Sequence, residues 1–170
     1  MIDIQTYPEG EEFLLWFTGL FFAQDVVDFG CGNGRLAPFF SKRHYVGWDA
    51  SLPAIVAARA ANPGYVFNRL EPGRKLENGY VAFAYDTLLH VPDERLESVV
   101  QQFGQKRVVV SEVLGRDLRT ATVFNREVEE YERPFRAAGY RLHRVQFKKA
   151  EAIVNSAGPA EISMLEFHKK

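Results

Sequence analysis

A chain of 170 residues, 46% hydrophobic and 25% charged, has ordinary globular composition. A formal net charge of −1 excludes a molecule drawn as a whole to nucleic acid, and a lone cysteine, Cys31, excludes an internal disulfide and fits a reducing, cytoplasmic setting. The length predicts one domain over 1–170.

Charge is uneven along the chain. Residues 1–50 carry three basic and seven acidic side chains, and residues 105–170 carry thirteen and nine. A solvated, salt-bridged surface accounts for this more simply than a binding patch. The apolar run Phe13–Ala23 is shorter than the roughly 20 residues a bilayer span needs. Glu9, Glu11 and Glu12 stand where a signal peptide carries positive charge. A buried amphipathic helix over 9–22, entered after Tyr7-Pro8, is the expectation, with no membrane partner.

Strand one is expected over Val26–Phe29 and is followed by Gly30-Cys31-Gly32-Asn33-Gly34. Glycine lets backbone approach a ligand closely and accepts positive φ. A helix is expected over 34–42, with Pro38 tolerable in its first turn. Cys31 reads as a small apolar filler. Strand two, Tyr45–Trp48, leads into Asp49-Ala50-Ser51, where Ser51 caps a helix with Pro53 in its first turn. Strand three is Tyr65–Phe67, and a polar loop over 71–79 leads to strand four, Tyr80–Tyr85. Pro92-Asp93 opens a helix, strand five is Arg107–Val110, and a long helix over 124–138 ends at Gly139. Two strands, Tyr140–Lys148 and Ile162–His168, close the chain with no long helix between them, so they can pair as a hairpin. Alternating β and α elements predict a mostly parallel sheet with helices on both faces.

Asp28 two places before the first glycine, Asp49 at the end of strand two, and the run Asp86-Thr87-Leu88-Leu89-His90-Val91-Pro92-Asp93 together resemble the class I S-adenosylmethionine-dependent methyltransferases, of small single-domain, small-molecule type. The likeness covers nearly the whole chain, which leaves no room for a separate substrate domain. It implies a Rossmann-like seven-stranded sheet in the order 3-2-1-4-5-7-6 with the last strand antiparallel. It also implies S-adenosyl-L-methionine as cofactor. Gly30, Cys31, Gly32, Gly34 and the following helix start would hold the methionine moiety, helped by Asp28. Asp49 would accept from the ribose hydroxyls, Ala50 and Ser51 would pass beside the adenine, and Asn68 or the backbone of Leu70 would meet its amino group. Tyr85 and Asp86 would face the methyl donor. The early strand-four aspartate of the family is replaced by Gly79-Tyr80.

His90 is a candidate general base or a backbone-bonded structural histidine, and Glu112, at the end of strand five, is placed to face substrate. Arg116, Arg119 and Arg126 suit a phosphate or carboxylate on a small polar acceptor methylated at oxygen or nitrogen. No metal motif, nucleophile elbow or phosphate loop is present. Two other readings stay open. One is a non-catalytic partner or regulatory module of the same fold. The other is a nicotinamide-dependent oxidoreductase, whose G-x-G-x-x-G spacing is missed because Gly34 falls one place early.

Overall fold

The structure is a computed structural model and describes residues 11–76, 81–114, 120–155 and 158–170. Seven strands form one sheet in the order β3-β2-β1-β4-β5-β7-β6. They are β1 Val26–Phe29, β2 Tyr45–Asp49, β3 Val66–Arg69, β4 Val81–Tyr85, β5 Arg107–Val113, β6 Tyr140–Asn155 and β7 Gly158–Lys169. β1 to β5 run parallel, and β7 is antiparallel to both β5 and β6.

Alternation along the strands divides the core between the two faces. In β4, Val81, Phe83 and Tyr85 join one apolar cluster while Ala82 and Ala84 join the other. Helices α1 Glu11–Gly19 and α2 Leu52–Ala61 cover the first face through Leu14, Phe17, Ile55 and Ala58. The small alanines of β4 leave depth on the second face for α3 Asp93–Val100 and α4 Val128–Ala137, which insert Leu96, Val100, Tyr131 and Phe135. Phe135 stacks on Phe167 with centroids 3.9 Å apart. A fully buried side chain of this size contributes about 1.5–3 kcal/mol. Among the described residues no helix is long and apolar enough to cross a membrane.

Two expectations need correction. The helix over 34–42 is replaced by turns and a single 3-10 turn, Ala37–Phe39. Pro38 has no N–H to give, and the backbone bonds here close at i+3, from Ala37 N to Gly34 O and from Phe40 N to Ala37 O. The long helix over 124–138 starts only at Val128, behind a Glu127/Glu130 capping box. Tyr7-Pro8 and Gly79-Tyr80 lie outside the described residues.

The last two strands outreach their neighbour. β5 pairs with β7 only as far as Val113 opposite Ile162, while β6 and β7 continue as a two-stranded ribbon to Asn155 opposite Gly158. The ribbon rises past the carboxyl edge of the sheet.

Candidate functional site

The carboxyl ends of β1, β2 and β4 converge. After β1 the chain turns through Gly30, Gly32 and Gly34, all at positive φ. A Cβ at Gly30 would lie 2.1 Å from Cγ2 of Thr87, which follows β4, so the glycine permits the two loops to touch. Thr87 Oγ1 in turn donates to Gly30 O at 3.3 Å and to Tyr85 O at 3.0 Å. Gly32 differs: a Cβ there would meet nothing within 4 Å. The space beside Gly32 is open.

Asp49 closes this bend from β2. Its Oδ2 accepts from Gly32 N at 2.9 Å and its Oδ1 from Ser51 N at 2.7 Å. Each carboxylate oxygen keeps a lone pair for a further donor. Ser51 caps α2 by accepting from Ala54 N at 3.3 Å, with Pro53 in the first turn, and Ala50 is exposed beside it. Asn68 lies half-buried opposite Trp48 in the β2–β3 register. Leu70 is buried, its N–H donating to Asp49 O at 2.8 Å.

Asp28 lies beneath the bend at 2% exposure and accepts from the Tyr45 hydroxyl at 2.5 Å. Burial pushes its carboxyl up to about 7, against the Tyr45 hydrogen bond and the Arg35 charge that lower it. Its carboxyl is turned to Tyr45 rather than to solvent. Cys31 is buried too, its thiol raised by burial and by the Asp28 and Asp49 charges. Gly47 accommodates it, since a Cβ there would meet Phe67 at 2.6 Å and Cys31 Sγ at 2.9 Å.

The expected anion cradle of loop N–H groups is largely used internally. Gly30 N and Cys31 N both donate to Trp48 O, Gly32 N to Asp49, and Gly34 N to Cys31 O. The cation at this end is Arg35, which sequence reasoning passed over. Its guanidinium is 3.6 Å from Oδ2 of Asp86 and lies over the Tyr85 ring at 5.2 Å from the centroid. Asp86 ends β4 at φ +49, a conformation that costs a non-glycine residue of order 1 kcal/mol and marks a constrained site. Asn62 was also missed. Its Nδ2 donates to Gly34 O at 3.2 Å and Ala58 O at 3.2 Å, tying the end of α2 to the loop.

The remaining candidates differ in exposure. Glu112 is fully buried, and its Oε1 accepts from Thr87 N at 3.0 Å and Leu88 N at 2.6 Å. Burial and then the Asp86 charge drive its carboxyl well above the usual range, more than these N–H groups lower it. It pins the turn after β4 from inside. His90, on the 3-10 turn Leu88–His90, is exposed with Nδ1 3.3 Å from Thr122 O. Arg126 is 1% exposed and corrects the expectation of a substrate-facing arginine. Nε donates to Asp93 at 2.9 Å, Nη1 to Leu88 O at 2.9 Å, and Nη2 to Val91 O. Arg116 and Arg119 lie outside the described residues.

No protein-family model and no curated protein matches the sequence. Solved structures match the fold. Magnesium protoporphyrin IX methyltransferase from Synechocystis PCC 6803, with bound SAH, is similar over 94% of this chain and 81% of that one, with a TM-score of 0.68 at 15% identity. The YcgJ protein from Bacillus subtilis is similar over 94% and 99%, with a TM-score of 0.66 at 12% identity. The [4+2]-cyclase SpnF is similar over 95% and 82%, with a TM-score of 0.69 at 14% identity. The chain has the class I S-adenosylmethionine-dependent methyltransferase fold.

Proposed function

We propose that this chain is an S-adenosylmethionine-dependent methyltransferase acting at oxygen or nitrogen of a small or medium polar acceptor. The reading rests on one pairing: an open glycine bend at Gly32 joined to the Asp49 carboxylate. When bound, S-adenosylmethionine supplies a methyl group on a positively charged sulfur.

Asp49 offers its spare lone pairs to the two ribose hydroxyls. Ala50, Asn68 and Leu70 border the adenine, and Arg35 takes the amino-acid carboxylate that the internally bonded loop N–H groups cannot. Asp86, beside Arg35, faces the ammonium end, while Asp28 and Thr87 hold the two loops in register. Catalysis by alignment fits this site, because in-line displacement gains most from holding the reacting atoms in contact. Glu112, fully buried, is assigned to positioning the β4 turn, and His90 remains the exposed candidate base. An anionic acceptor group is assigned to Arg116 and Arg119. One cysteine and the absence of a long apolar helix among the described residues support a cytoplasmic location.

Calorimetry with S-adenosylmethionine and its demethylated product tests cofactor choice, with reduced nicotinamide dinucleotide as control. Saturable binding of the dinucleotide alone overturns the reading. Transfer from labelled donor to a panel of phosphorylated and carboxylated alcohols and amines tests the reaction. A second reading follows from the withdrawal of Glu112 from the cleft and from the cyclase among the fold's neighbours: the cofactor binds without giving up its methyl group. Tight binding with no transfer to any acceptor supports it.

A further inference from the structure

At the other end of the sheet, β6 and β7 hold a second cluster of titratable side chains. Arg107, His168 and Arg141 share one row with Val81 and Val26. That row is the amino edge of the parallel strands, opposite Gly32 and Asp49. Glu166 and His168 are two residues apart on β7, so their side chains leave the same face. On β6 the register slips between Leu142 and Arg144, leaving His143 as the extra residue of a bulge.

The bulge lays His143 on His168. Their rings stack with centroids 4.3 Å apart and planes 12° from parallel. His168 Nε2 is 2.7 Å from Glu166 Oε1, and Arg107 Nε is 2.9 Å from the same oxygen. Glu166 is 5% exposed, while His143 is exposed. One ligating atom from each of His143, Glu166 and His168 lies within 4.8 Å of the others.

We propose that His143, Glu166 and His168 form a binding site for a late first-row divalent cation, with Zn2+, Ni2+ and Cu2+ the chemical class. Two imidazoles and one carboxylate are the donor set these ions select. Metal–ligand distances of about 2.0–2.2 Å require the three atoms to draw closer than they stand. His143, exposed on the edge strand, supplies that movement by side-chain rotation. Arg107 and His168 already hold the Glu166 carboxylate in place. Both contacts fall on Oε1, so Oε2 is the oxygen an ion would take. A depression of about 480 Å3 lined by Arg141, Leu142, His143, His168, Lys169 and Lys170 opens alongside, with room for water or an anion to complete the coordination shell. Arg107, Arg141, Arg144, Lys169 and Lys170 surround the site with positive charge, which weakens its hold on a cation.

Titration of the full chain with ZnCl2 in a calorimeter tests this. One equivalent should bind, and His143→Ala and His168→Ala should each weaken binding at least about tenfold, a loss that even the partners behind metal ligands produce. The variant His44→Ala, which removes a remote imidazole, should bind as the parent does. Absence of saturable binding, or full affinity in His143→Ala, overturns the proposal. A paramagnetic arm reads the site directly: Ni2+ should broaden the His143 and His168 ring resonances first. Equal broadening at His44 and His90 means adventitious surface binding and also overturns it. Because His143 is exposed, its variant decides the matter even if His168→Ala fails to fold.

Discussion

The backbone N–H of Gly32 donates to Oδ2 of Asp49 at 2.9 Å, joining residues 17 apart in sequence across the edge of the sheet. The bend after β1 and the carboxylate after β2 therefore act as one unit. Asp49→Ala removes the acceptor for Gly32 N, for Ser51 N and, in the proposed complex, for the ribose. A hydrogen bond to a charged group contributes about 1.5–3 kcal/mol, so affinity for S-adenosylmethionine should fall by roughly tenfold to a few hundredfold. Calorimetry measures this, and unchanged affinity removes the ribose assignment.

Gly30 and Gly32 should respond differently to alanine. Both have positive φ, which costs an ordinary residue about 1–2 kcal/mol. At Gly30 the new methyl also drives into Thr87, whereas at Gly32 it enters open space. Urea unfolding should show Gly30→Ala as the more destabilising change by a clear margin. Gly32→Ala should remain folded and weaken cofactor binding, since its methyl enters the open space beside the bend that the proposed cofactor would share.

Asp28 predicts a pH dependence of stability with a definite sign. Its carboxyl titrates near 7 in the folded protein against 3.8 as the ordinary value. Between those values the native state holds a proton that the unfolded chain has released, so stability declines as pH rises from about 4 to about 7 and then levels. Glu112, raised by burial, acts in the same direction. Asp28→Asn keeps an acceptor for Tyr45 and cannot ionise. Its urea midpoint at pH 8 should rise relative to the parent, and the slope between pH 5 and 8 should flatten.

Arg126 should behave as a structural residue. Removing it takes the guanidinium donor from the Val91 carbonyl, and one donor each from Leu88 O, which keeps the Val91 N–H, and from the half-exposed Asp93 carboxylate. Arg126→Ala should lower stability by about 2–4 kcal/mol, and Arg126→Lys should recover little, because an ammonium cannot reproduce the planar fork. Cofactor affinity of the folded fraction should stay within about twofold, well under the tenfold that 1.4 kcal/mol represents.

Local signals carried much of the architecture. The Val26–Phe29 strand, the Ser51 cap and the Asp49 position follow from residue type and spacing, because β-branched runs, caps and glycine turns depend on near neighbours. What escaped depends on packing across the chain. Thr87 and Asn62 read as ordinary polar residues, yet their contacts span 57 and 28 positions. Arg126 read as a surface cation because sequence does not show that three acceptors surround it. The expected helix after the glycine loop failed for a local reason: Pro38 ends it before a full turn forms.

The β6–β7 ribbon gives the carboxyl edge two banks of unequal height. Between β2 and α2 the rim is only the Ala50-Ser51 turn. Beyond β5 it is a tall rail of paired backbone. Under the proposed function a bulky acceptor would meet that rail broadside, so shortening the ribbon is the direct way to alter which molecules the edge admits.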